Sequence, residues 1–144
     1  MKIYLATDHA GFAHKELLKQ YLLEEGVEVV DHSAAVRDDA DDYPDYITPC
    51  AKDVAEDLDA IGIIFGGSGQ GEAMCANRIK GIRAAVYYGG PKEILTLSRE
   101  HNDANILSIG ARFVSEVDMI EAVKLWLATA FSREERHIVR LNKF

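Results

Sequence analysis

The first chemical feature of the chain is a carboxylate set into a glycine-rich loop. Gly66-Gly67-Ser68-Gly69-Gln70-Gly71 places four glycines within six residues, directly ahead of Glu72. Glycines let backbone approach a ligand closely, and a helix beginning here aims unpaired N–H groups and its positive end at an anion. A simple phosphate cradle has no use for a carboxylate at its mouth. A proton-transfer site does, because the carboxylate then acts as the base and the backbone N–H groups stabilise the developing oxyanion. Three other groups have chemical side chains: Asp8-His9, His101-Asn102-Asp103 and Arg112. Near the C-terminus, Arg133, Arg136, His137 and Arg140 fall at i, i+3, i+4 and i+7, one face of a helix, where guanidinium groups can grip a phosphate in bidentate fashion.

Each group also has a plain structural reading. Asp8 serves as a helix N-cap with His9 a surface histidine, His101-Asn102-Asp103 as a C-cap and turn, and the basic stripe as a solvated face paired with Glu134 and Glu135. His14, His32 and Cys75 carry no assigned role.

The elements that must position these groups alternate regularly. Lys2–Thr7 reads as a strand ending at Asp8-His9, followed by a helix with Phe12, Leu17, Leu18, Tyr21 and Leu22 at helical spacing, stopped at Gly26. Val27–Asp31 is a second strand, and Ser33–Asp42, with four aspartates and no periodicity, a surface loop. Pro44 and Pro49 bracket the start of a helix whose face is Ile47, Ala51, Val54, Ala55 and Leu58. Ile61–Phe65 is the third strand, entering the glycine loop and a third helix. After Gly81, Ile82–Tyr88 is a strand, Pro91–Glu100 a helix and Ala104–Ile109 the fifth strand. Val117, Ile120, Val123, Leu127 and Phe131 form the stripe of a fifth helix, and Ser132–Glu135 a capping box that starts the last one.

Such alternation predicts a Rossmann-like or flavodoxin-like three-layer αβα sandwich with a five-stranded parallel sheet and an extra C-terminal helix, in one domain over residues 1–144. Ligands of such sheets bind beyond the carboxyl ends of the strands. Asp8-His9, Gly66–Glu72 and Arg112 all lie there, whereas His101-Asn102-Asp103 precedes its strand and so falls at the opposite end of the sheet, where it serves as a turn or completes a neighbour's site.

Composition narrows the classes. A formal net charge of −8 argues against a nucleic-acid partner. No apolar run approaches a membrane span, and the N-terminus lacks the features of a signal peptide, so a cytoplasmic location is expected. Two cysteines without metal or CxxC spacing suit a reducing compartment.

Taken together, TDHAGF (Thr7–Phe12), DYPDY (Asp42–Tyr46), GGSGQGE with the following Ala76-Asn77, GIRAAV, HNDAN (His101–Asn105), GAR (Gly110–Arg112) and RHIVR (Arg136–Arg140) resemble the type B ribose-5-phosphate isomerases and the related galactose-6-phosphate isomerase subunits, over essentially the whole chain. The resemblance implies a Rossmann-like fold, no metal, no organic cofactor, and a homodimer or tetramer with each active site shared across the interface. It implies an aldose–ketose isomerase working through a cis-enediolate. His101, helped by Asp8, would open the sugar ring, and Asn102 with the Gly67, Gly69 and Gly71 amides would stabilise the enediolate. Ser68 would handle protons on the substrate oxygens and Tyr46 would line the sugar site. His9, Arg112, Arg136 and Arg140, with His137 nearby, would hold the phosphate. Many members place a catalytic cysteine where this chain has Gly66. The branch lacking it uses a glutamate at the position of Glu72, in agreement with the base read from the loop.

The expectation is therefore a ribose 5-phosphate isomerase. Allose or galactose 6-phosphate is the alternative substrate, because pocket depth is not written in residue spacing. A non-catalytic flavodoxin-like module holding a nucleotide or FMN phosphate is the alternative class, but the loop is neither GxGxxG in its usual setting nor a P-loop.

Overall fold

The computed structural model describes residues 2–144. Five strands, β1 (Lys2–Thr7), β2 (Glu28–Asp31), β3 (Ala60–Gly66), β4 (Ala84–Tyr87) and β5 (Ile106–Gly110), form one sheet of order β2-β1-β3-β5-β4, every neighbouring pair parallel. The helices are α1 (Phe12–Glu24), α2 (Pro44–Glu56), α3 (Gln70–Ala76), α4 (Glu93–Glu100), α5 (Glu116–Ala128) and α6 (Glu135–Leu141). A 3-10 turn, His9–Gly11, links β1 to α1.

Strand side chains alternate between the two faces of the sheet, so each face needs its own apolar cover. Ile3, Leu5, Ile63 and Phe65 pack with Leu18, Leu22, Leu95, Met119, Val123 and Trp126, from α1, α4 and α5. Tyr4, Ala6, Ile64 and Ile106 pack with Ile47, Cys50, Ala51, Val54 and Ala76, from α2 and α3. The result is the expected αβα sandwich with a sixth helix at the C-terminus.

Several expected details differ. The inward stripe of α5 is Met119, Ala122, Val123 and Trp126, with Val117 70% exposed and Phe131 beyond the helix end. This helix is apolar on more than one side, and the Trp126 indole decides which side faces in: it is fully buried and donates to Ser98 Oγ at 2.9 Å. On α1, Leu17 faces out and Lys15 is buried, its ammonium bound to Asp31 Oδ2 at 2.8 Å and to Glu16. A buried lysine is tolerated because it is paired. Leu58 lies past the end of α2 and is 97% exposed, and Pro49 stands inside that helix, Pro44 alone occupying its first position. Helix α4 starts at Glu93, two residues after Pro91.

The last helix also starts later than expected. Its N-cap is Glu134, with no side-chain capping bond, and Ser132 Oγ accepts only the Glu134 N–H at 3.4 Å. The capping box does not form. Arg133 sits outside the helix at φ 56°, a left-handed conformation, so the four-residue basic face loses its first member. Among the described residues no helix is long and apolar enough to cross a membrane.

Candidate active site

In a sheet of this order the connections leave β1 and β3 in opposite directions, and the loops after those strands diverge around a crevice. The glycine loop leaves β3 there. Gly69 adopts φ +76°, which a side chain would resist, and its carbonyl accepts the Ser108 hydroxyl at 2.6 Å. The Ala111 and Arg112 N–H groups donate to the Gly66 and Gly67 carbonyls at 2.9 and 3.1 Å, so the exit of β5 fastens the loop from the side. Gly67, Ser68, Gly71 and Glu72 of the loop and the first turn of α3 line the crevice.

Glu72, in that first turn, is 4% exposed. Its carboxylate fills the space over Gly66: a Cβ on that residue would lie 1.8 Å from Glu72 Oε1. Burial, and then the negative charge of Asp8, push the Glu72 pKa up, opposed by a bond from its own backbone N–H. A carboxylate of raised pKa is a stronger base, closer to the value that proton transfer near neutrality favours.

From β1, Asp8 is buried and accepts the Ala10 N–H at 2.9 Å, capping the 3-10 turn. His9 next to it is held by a single carboxylate oxygen: Asp41 Oδ1 takes the His9 N–H at 3.0 Å and lies 2.7 Å from His9 Nδ1. The donor atoms of Asp8, His9 and Asp41 all fall within 4.8 Å of one another and are engaged by these bonds. The hydrogen bond that the His9 ring makes to the Asp41 carboxylate raises the His9 pKa. From β5, the Arg112 guanidinium lies over the glycine loop, its Cζ 3.1 Å from where a Cβ on Gly67 would stand.

These groups share one cleft of about 380 Å³, lined by Asp8, His9, Tyr43, Gly67, Ser68, Gly71, Glu72, Arg112 and Phe113. The structure thus brings together the residues expected at the strand ends. The tyrosine that lines the cleft is Tyr43, not Tyr46. A Cβ on Gly71 would lie 2.7 Å from the Tyr43 hydroxyl, while burial and then the charges of Asp41 and Asp38 raise the pKa of Tyr46, which neighbours Asp41 instead. Both tyrosines stand in one short motif, and only the turn into α2 decides which of them reaches the loop.

His101, Asn102, Arg136, His137 and Arg140 are not part of this cleft. His101 caps the C-terminus of α4, ahead of β5, and the five residues of β5 separate the two ends of the sheet by about 16 Å. Here the His101 and His137 rings stack, 4.2 Å between centroids and 14° between planes. His137 is 3% exposed with no hydrogen-bond partner for Nε2, and burial, followed by the nearby His101 and Arg136 charges, lowers its pKa. Its ring is buried under His101, apart from the exposed arginines of the same helix. Arg136 and Arg140 are exposed, Arg136 pairing with Glu134 at 2.7 Å. The turn itself is held by Arg83, whose guanidinium donates to the Asn102 and Asp103 carbonyls at 3.1 and 2.7 Å and to the Asp103 carboxylate at 3.0 Å. Neither Arg83, a lone arginine, nor Asp41, one aspartate of four in its loop, carries a local signal in the sequence.

A buried carboxylate, a glycine loop and the His9 and Arg112 side chains at the strand ends of a parallel αβα sheet suit an enzyme for small anionic substrates. The sequence model described as Ribose/Galactose Isomerase matches residues 3–144. The chain is 35% identical over 142 residues to the ribose-5-phosphate isomerase B of Mycolicibacterium paratuberculosis, covering 99% of this chain and 88% of that one. It is 36% identical over 143 residues to the putative sugar phosphate isomerase YwlF of Bacillus subtilis, covering 99% and 94%. The crystal structure of ribose-5-phosphate isomerase B from Mycoplasma genitalium with bound ribulose-5-phosphate superposes with a TM-score of 0.93 at 34% identity, over 99% of this chain and 92% of that one. The chain belongs to the ribose/galactose isomerase family and is a sugar-phosphate isomerase. The flavodoxin-like binding module is thereby set aside.

Proposed function

We propose that the chain interconverts ribose 5-phosphate and ribulose 5-phosphate through a cis-enediolate, with Glu72 as the base. The observation that carries this reading is the buried Glu72 carboxylate beside the donor loop, in the space that Gly66 leaves open. Glu72 removes the C2 proton of the open-chain aldose, the C1 carbonyl takes up the electron pair, and the loop amides bear the negative charge that develops. Glu72 then returns the proton to C1 as O2 loses its own and becomes the ketose carbonyl. Ser68, whose Oγ accepts the Gln70 N–H at 3.3 Å and which lines the cleft, relays the proton between the two oxygens.

Asp8 and His101 open the ring, and Asn102 adds a donor to the enediolate. Because His101, Asn102, Arg136, His137 and Arg140 lie away from the cleft, a second copy of the chain supplies them. The exposed Ile138 and Val139 give α6 an apolar side for that contact. His9 and Arg112 hold the phosphate from one copy, and Arg136 and Arg140 from the other.

The test is to assay ribose 5-phosphate, allose 6-phosphate and galactose 6-phosphate side by side, and to follow exchange of the C2 proton with solvent. Glu72→Gln is expected to abolish exchange while the folded protein still binds the sugar phosphate. Full turnover in that variant removes Glu72 as the base, and preference for a six-carbon sugar replaces the substrate.

A further inference from the structure

Of the four aspartates in the loop between β2 and α2, Asp38, Asp39 and Asp42 are exposed and Asp41 is not, and Asp41 does not line the cleft. Asp41 has a side chain 7% exposed, and its Oδ1 meets both the backbone N–H and the Nδ1 of His9. The bond to the backbone N–H anchors the carboxylate and the bond to Nδ1 orients the ring; because a carboxylate oxygen only accepts, the proton between them sits on Nδ1. His9 lines the cleft together with Arg112.

We infer that Asp41 is a positioning residue for the substrate phosphate: it holds His9 in one orientation, with Nδ1 toward its own carboxylate, so that the imidazole meets the substrate beside the Arg112 guanidinium. This rests on the phosphate-sugar reading above. The charge arrangement suits an anion. Asp41 lies on the Nδ1 side of the imidazole and is not among the residues lining the cleft, so an incoming phosphate meets the ring and not the carboxylate. The groups around His9 are Asp8, Asp39 and Asp41 on its own side and Arg112, Glu72 and Tyr43 across the cleft. The three aspartates favour the protonated ring, and Asp41 acts most strongly because it alone is hydrogen-bonded to it. The Tyr46 hydroxyl borders the same carboxylate, which gives that residue a supporting place one step removed from the substrate.

The test separates charge from shape. Asp41→Asn keeps an acceptor oxygen for both bonds and removes the charge; Asp41→Glu keeps the charge. In the ligand-free protein, the His9 imidazole signals, assigned by their loss in His9→Gln, are followed by NMR against pH. The expected result is that His9 in Asp41→Asn loses its proton at a lower pH than in the parent chain, and that Asp41→Glu moves it back. With ribose 5-phosphate, KM of Asp41→Asn is expected to rise about tenfold above neutral pH, with kcat held, and the gap to close at a pH where His9 is protonated in both proteins. A purely structural role for Asp41 would give a KM change independent of pH.

An unchanged His9 titration in Asp41→Asn overturns the inference whatever the turnover. A shifted titration with an unchanged KM overturns the link to phosphate. Inorganic phosphate, added in place of the sugar, keeps the two readings apart. If it perturbs the His9 signals and does so more weakly in Asp41→Asn, the pairing stands even where no sugar phosphate is turned over, and only the substrate assignment falls.

Discussion

A Cβ on Gly66 would lie 1.8 Å from Glu72 Oε1 and 2.0 Å from its Cδ, so a side chain at position 66 and this seat of the Glu72 carboxylate exclude one another. The first residue beyond the core of β3 is thus bare because the sixth residue after it folds back over it. The atom displaced is the far end of a flexible side chain, so the fold has an easy escape and the chemistry does not.

Gly66→Ala is therefore expected to fold with nearly the parent stability while losing about 100-fold or more in kcat, because the base is moved off its position. Thermal unfolding and steady-state kinetics on the same sample check it. A variant with full activity would show that the carboxylate works equally well elsewhere.

Glu72 should weaken the fold at neutral pH. Its folded pKa is raised above the ordinary 4.5, so the folded state holds its proton more tightly than the unfolded chain, and stability is lost as pH rises from that ordinary value through the folded one. Glu72→Gln removes this loss. Its Tm should exceed that of the parent at pH 7 and above, and the difference should shrink below the ordinary carboxyl range. Over the upper window, kcat of the parent should rise with pH as the base ionises.

Shared sites can be tested by mixing inactive chains. Glu72→Gln lies in the cleft and Arg140→Ala on α6, on opposite contributions to each site. In a statistical mixture half of the dimers are mixed, and one of their two sites is free of both changes, so about a quarter of the parent activity should return on co-refolding. A mixture as inactive as its parts would place both residues in one subunit's site.

His137 should matter as a flat ring rather than as a charge, since it is buried, stacked on His101 and held toward the neutral form. His137→Phe is expected to keep KM and kcat within about threefold of the parent, and His137→Ala to lose about tenfold or more through a displaced His101. Equal losses in both would restore His137 as a ligand.

The sequence by itself determined the five alternating units, the glycine loop with its carboxylate and the strand-end placement of Asp8, His9 and Arg112, because these are local: periodicity, turn residues and a change from apolar to glycine-rich composition act over a few neighbours. It also contained enough of the motifs to point to the family. Tertiary structure alone decided the order β3-β5-β4, which lays Arg112 over Gly67, since parallel strands joined by long crossovers carry no local mark of who pairs with whom. It decided that Lys15 turns in and Val117 out, on helices apolar on several sides, and that Tyr43 rather than Tyr46 reaches the loop. The pairing of Asp41 with His9 and the stacking of His137 on His101 belong to the same class, joining residues 32 and 36 positions apart. Contacts of that kind depend on how whole elements pack, which no window of neighbouring residues specifies.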